Sequence, residues 1–167
     1  MGTYKEIEGD LIKLAKEGTF DVISHGCNSF CTMGAGIAPQ MAKAFGCDKF
    51  TLESHFYRGN INKLGQIEYD WIHTTADGKE LPKPLYIVNS YTQYLYGKNH
   101  ADGVSKPLDY DALTLCMRKI NHVFKGKHIG LPTIGAGLAG GDWNRIKSII
   151  QTELKDCDVT VVIYKPQ

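Results

Sequence analysis

The sequence contains no apolar run close to the roughly 20 residues that cross a bilayer. Its opening residues, Met1-Gly2-Thr3-Tyr4-Lys5-Glu6, hold no apolar signal core. A cytoplasmic protein without a membrane partner is expected. Charge of one sign is also missing. There are 19 Lys and Arg against 18 Asp and Glu, for a net charge of +1. That balance gives no electrostatic basis for general nucleic-acid binding. The five cysteines, Cys27, Cys31, Cys47, Cys116 and Cys157, are odd in number and spread out. Cys27 and Cys31 are close, but no Cys or His pair completes a zinc pattern. Reduced thiols, no metal and no cofactor are therefore expected. Internal repeats, linkers and low-complexity segments are lacking, so residues 1–167 read as one domain. What remains is ordinary for a globular chain with a proper core: 43% hydrophobic and 22% charged over 167 residues.

The rest of the chain is organised around Ser24-His25-Gly26-Cys27-Asn28-Ser29-Phe30-Cys31-Thr32-Met33-Gly34-Ala35-Gly36-Ile37-Ala38-Pro39. The apolar run from Phe20 to Ile23 leads into it and reads as a buried strand. Ile37, Met41 and Phe45 leave it at i, i+4 and i+8, the spacing of one helix face. Pro39 falls in the first turn, where its missing N–H costs nothing. A strand, a small-residue loop and a helix N-terminus direct free N–H groups and a positive helix end at one place, which suits a phosphate. A tight crossover with no ligand has the same local pattern.

Other elements follow in order. Tyr4 to Ile7 alternates and reads as a first strand. Asp10 stands as N-cap of a short helix through Leu14 and Ala15. Cys47 to Tyr57 reads as a helix with Phe50, Ser54 and Tyr57 on one side. Leu64 to His73 alternates, and Ala76-Asp77-Gly78-Lys79 signals a hairpin. Leu85 to Val88 is a buried-type strand. Tyr94 to Pro107 is a long loop without periodicity, a length often given to function. Asp109 to Phe124 is the clearest helix, striped by Leu113, Met117, Ile120 and Phe124 and ended by Gly126. His128 to Pro132 is a strand. Asp142 caps a helix whose buried face is Trp143, Ile146, Ile149, Ile150 and Leu154. Val159 to Tyr164 is the last strand. Alternating strands and helices with one hairpin call for an α/β fold, a sheet covered on both faces.

Two glycine loops lie between a strand and a helix, Gly34-Ala35-Gly36 and Gly135-Ala136-Gly137. Neither carries the Gly-Lys-Ser/Thr of a P-loop. The first lacks the third glycine and the acidic residue of the dinucleotide fingerprint. Two such loops facing one another suit a diphosphate held by backbone amides from both sides.

Gly9-Asp10-Leu11, His25-Gly26-Cys27-Asn28, Met33-Gly34-Ala35-Gly36-Ile37-Ala38 and Leu131-Pro132-Thr133-Ile134-Gly135-Ala136-Gly137-Leu138 together resemble the macrodomain family in order and spacing. The resemblance implies a three-layer α/β/α sandwich around a mixed, mostly parallel sheet, with ADP-ribose as ligand. It is similar to the branch of ADP-ribose-1''-phosphate phosphatases and of macrodomains that remove ADP-ribose from glutamate or DNA. It implies that Asp10 accepts from the adenine amino group, helped by the Leu11 amide, with Gly9 beside them in the ligand-binding set. Gly34 to Ile37 and Gly135 to Leu138 would wrap the diphosphate. Asn28 would bond the distal ribose hydroxyls with His25 close by, and Gly26, Cys27, Met33, Thr133 and Ile134 complete the implied ligand-binding set. Tyr164 would pack on adenine or stand as a bare rim aromatic.

For chemistry, His25 and Asn28 are the catalytic candidates. A satisfied core histidine is the alternative for His25. Tyr91, Tyr94 and Tyr96 would roof the ribose or pack the long loop, and Asp142 reads as a cap rather than an acid. Lysine-dependent relatives carry a lysine where this chain has Ser90 to Gln93, and some carry an acid where it has Ala139. The expected activity is dephosphorylation of ADP-ribose-1''-phosphate. The alternatives are hydrolysis of ADP-ribosyl groups from protein or nucleic acid, and a non-catalytic ADP-ribose reader.

Overall fold

The computed structural model describes residues 2–30, 33, 36–49, 59–94, 108–137 and 139–165. Among these residues six strands form one sheet: β1 (Tyr4–Gly9), β2 (Val22–Asn28), β3 (Ile67–Thr74), β4 (Glu80–Gln93), β5 (His128–Leu131) and β6 (Asp158–Tyr164). Their order is β1-β6-β5-β2-β4-β3. Every neighbouring pair is parallel except β3 and β4, which the hairpin joins antiparallel.

Among the described residues four helices, α1 (Leu11–Lys16), α2 (Ala38–Phe45), α3 (Tyr110–Val123) and α4 (Trp143–Glu153), cover the sheet. Parallel strands buried on both faces need apolar residues at successive positions, as in Val22-Ile23 and Val161-Val162. One face packs Val22, Val88, Ile129 and Val161 against Leu113, Met117 and Ile120 of α3 and Ile146 and Ile150 of α4. The other packs Ile23, Ile87 and Val162 against Leu11 of α1 and Met41 and Phe45 of α2. The result is the expected three-layer, mostly parallel sandwich.

Caps set the helix starts. Asp10, Asp109 and Asp142 each accept a first-turn backbone N–H, from Lys13, Ala112 and Asn144 at 3.1, 2.9 and 3.0 Å. Two expectations change. The strand expected at Leu85 to Val88 runs from Glu80 to Gln93, because pairing with β3 and β2 carries it past the apolar run. Of the helix expected from Cys47 to Tyr57, the described part is a 3-10 turn, Cys47–Lys49. Its remainder lies outside the described residues, as does most of the loop from Tyr94 to Pro107.

Topology makes a crevice. After β2 the chain passes to α2 on one face, and after the neighbouring β5 it passes to α4 on the other. Loops leaving adjacent parallel strands toward opposite faces part at their carboxyl ends, where open α/β sheets bind ligands.

Candidate functional site

A cleft of about 890 Å³ occupies this position. The end of β1 and its sequel contribute Asp10, Leu11 and Ile12, and β6 contributes Val162 and Tyr164. The loop after β5 supplies Pro132, Thr133, Ile134, Gly135, Gly137 and Ala139. From β2 come Gly26, Cys27 and Asn28, from β4 Gln93. Met33, Gly36, Ile37, Ala38 and Gln40 complete the wall from the loop after β2 and the start of α2.

The Asp10 end is apolar apart from the carboxylate, with Leu11, Ile12 and Val162 beneath an exposed Tyr164. The opposite end is neutral and polar. There Asn28 is 6% exposed, and its Oδ1 accepts the Phe30 N–H at 3.0 Å. Between them lie the two glycine loops. Gly36 and Gly135 have φ of +67° and +77°, which side-chain-bearing residues avoid. Gly137 differs, since a Cβ built there meets nothing within 4 Å and points into open space. At the N-terminus of α2, Ile37 makes no side-chain cap bond. Among the described lining residues none is cationic. An anion here would meet peptide N–H groups and the helix end rather than a basic side chain of this wall. Among the described residues no group of three or more His, Cys, Asp or Glu is placed to hold a metal. No described helix is long and apolar enough to cross a membrane.

His25 lies beneath the cleft. It is fully buried, and its Nε2 is 2.8 Å from Asn89 Oδ1. The Asn89 amide donates its Nδ2–H to the Cys47 carbonyl at 2.9 Å, so its oxygen faces the imidazole. An amide oxygen only accepts, so Nε2 carries the proton. Among the described residues the buried Nδ1 of His25 has no partner. Burial lowers the histidine pKa to about 4 despite the Asn89 bond. Cys27 and Cys47 Sγ lie 3.6 and 3.7 Å from Nε2, but a protonated nitrogen cannot take a thiol proton. Burial further raises the Cys47 thiol to about 12. This cluster is not an activated cysteine nucleophile.

No family model matches the chain. An uncharacterised 17.5 kDa protein of enterobacteria phage T4, from the tk-vs intergenic region, is 34% identical over 97% of both chains. Human ADP-ribose glycohydrolase OARD1 is 26% identical over 95% of this chain and 88% of its own. The crystal structure of a Trypanosoma brucei macrodomain in complex with ADP-ribose overlays at a TM-score of 0.62, with 17% identity over 96% of this chain and 63% of that one. The chain has the macrodomain fold.

Of the residues expected at the macrodomain site, Asp10, Leu11, Gly26, Cys27, Asn28, Met33, Gly36, Ile37, Thr133, Ile134, Gly135, Gly137 and Tyr164 do line the cleft. Gly9, His25 and Ala136 are not among its lining. Gly9 ends β1 one residue short, His25 sits below the floor, and Ala136 turns into the core beside α4. Gly34, Ala35 and Leu138 lie outside the described residues. Sequence reasoning missed Ile12, Ala38, Gln40, Gln93, Pro132, Ala139 and Val162 as wall residues. For Val162 a signal existed, since it precedes Tyr164 by one strand repeat. Gln40 follows from Ile37 at one helical turn.

Proposed function

We propose that this macrodomain binds ADP-ribose along the cleft and releases phosphate from ADP-ribose-1''-phosphate. The carrying observation is the pair of glycine loops bordering one crevice from opposite faces, with a carboxylate at one end and a buried carboxamide at the other. On this reading Asp10 accepts from the adenine amino group, which a carboxylate suits, being an acceptor only. Tyr164, Leu11 and Val162 pack against the base. Backbone amides of both loops and the start of α2 hold the diphosphate. Asn28 meets the distal ribose.

Water is positioned at the ester joining phosphate to the anomeric carbon, and loop amides stabilise the developing charge. Asn28 is the catalytic candidate that reaches the cleft, whereas His25 supports the strand below it. A reduced cytoplasm is the proposed setting, in keeping with the buried free thiols of Cys47, Cys116 and Cys157.

Calorimetry with ADP-ribose, followed by phosphate release from ADP-ribose-1''-phosphate, tests the proposal. Binding with release supports it. Binding without release leaves the reader, and no binding removes both. A second reading, hydrolysis of ADP-ribosyl groups from protein or nucleic acid, is favoured by the named activity of the human relative. A panel of ADP-ribosylated protein and DNA separates it from the phosphatase.

A further inference from the structure

We infer that Gln93 is a specificity-determining residue of this cleft, reading the ribose at the end away from adenine. The inference rests on the ADP-ribose reading and adds a residue to it.

Strand pairing delivers the residue. Along β2 and β4, Cys27 pairs with Tyr91, but the next residue, Asn28, pairs with Gln93. Thr92 is thus an extra residue on β4, a bulge. It is fully buried, and its carbonyl accepts the Asp109 N–H at 2.9 Å. Its Oγ1 sits over Gly26, where an added Cβ would come within 2.9 Å. A bulge shifts the alternation of side chains by one place. Without it, Gln93 would share the face of Tyr91. With it, Gln93 stands beside Asn28, and both line the cleft. The backbone of Gln93 is held from two sides: its carbonyl accepts the Ser29 N–H at 3.1 Å, and it bridges Leu108 across the other edge.

The sheet itself measures the ligand. Asp10 follows β1, and Gln93 ends β4, four places away in the order β1-β6-β5-β2-β4. Four interstrand spacings of roughly 4.8 Å make about 19 Å, the span of an extended dinucleotide-like molecule. If adenine lies at Asp10, the distal sugar lies at Asn28 and Gln93. A carboxamide both donates and accepts, as a sugar hydroxyl does, whereas a phosphate oxygen mainly accepts. Two adjacent carboxamides therefore match a diol.

The test compares ADP-ribose with ADP, which lacks the distal sugar, by calorimetry on the full chain. Gln93→Met keeps the side-chain length and removes the hydrogen bonds. It should weaken ADP-ribose by about three- to tenfold, the range for one or two neutral hydrogen bonds, and leave ADP unchanged. Gln93→Glu keeps the shape and loses the donors. It should weaken ADP-ribose-1''-phosphate more than ADP-ribose, because it adds a negative charge at that end. Equal losses for ADP and ADP-ribose in both variants would show a merely structural role, and no loss for ADP-ribose would overturn the inference outright. A wild-type protein that binds ADP-ribose no tighter than ADP would instead remove the distal subsite and the functional reading with it. Melting curves accompany each variant, and Gln93→Glu decides the matter if Gln93→Met does not fold.

Discussion

The Asp10 carboxylate has two oxygens, and the Lys13 N–H occupies one at 3.1 Å while the residue also lines the cleft. Cap and ligand contact are therefore compatible in one side chain. Asp10→Ser retains a capping oxygen and removes the carboxylate. It should weaken ADP-ribose binding by roughly 1–3 kcal/mol, the range for a charged hydrogen bond, and leave ribose-5-phosphate binding unchanged. Equal losses for the two ligands by calorimetry would reduce Asp10 to a cap. His25 makes a different prediction. Its folded pKa is near 4, below the unfolded value of about 6.5, so the unfolded chain binds the extra proton between these values. Stability is thus full above pH 6.5 and falls as the pH drops toward 4. The loss from this group should be about 2 kcal/mol by pH 5. Urea unfolding at pH 7 and pH 5 measures it, and His25→Gln should flatten the difference. The Asp10 cap was legible because capping is local, a side chain meeting an amide three residues on. A satisfied core histidine was one of the two readings of His25, and its burial bears that out. Its partner Asn89 was not legible, because strand residues 25 and 89 meet only through pairing.

Local elements were legible wherever one periodicity held, as in the stripe of α3 or the apolar runs of β2 and β6. They were misjudged where pairing overrode composition, as in β4, whose polar end Asn89 to Gln93 is drawn into the sheet by β2. The bulge at Thr92 belongs to the same class, since a bulge is a property of two strands. The loops allow a sharper test. Gly36 has positive φ, so a substitution there confounds backbone strain with loss of the site. Gly137 has open space where a Cβ would go. Gly137→Val should thus fill the cleft with little cost to folding. The expected result is loss of ADP-ribose binding by calorimetry, with circular dichroism and melting close to wild type. Unchanged affinity would remove this loop from the diphosphate path. On β3, Tyr69 and Trp71 are exposed on a sheet edge. There the Asp70 carboxylate accepts the Trp71 N–H at 2.9 Å, a charge that blunts the edge against pairing with another chain.

At the scale of the molecule, a net charge of +1 and a cleft whose described wall holds no cation leave little field to draw in a diphosphate. Association with ADP-ribose should therefore depend weakly on salt. A change of less than about threefold in the association rate between 50 and 500 mM salt, followed by stopped flow, is the expected outcome. A steep fall would point to basic side chains outside the described wall. The three-layer class followed from alternating elements, but the strand order did not. Periodicity marks which residues are buried and leaves unstated which strand lies beside which. That order has a consequence in time. β1 has one neighbour in the sheet, β6, and Tyr4 pairs with Val159. A growing polypeptide leaves the ribosome N-terminus first, so β1 waits unpaired until β6 has emerged. Contacts so distant in sequence also close late in refolding. The wall carrying Asp10 and Tyr164 is thus assembled last, and a nascent chain stalled before β6 would have the glycine loops without the pocket beside them.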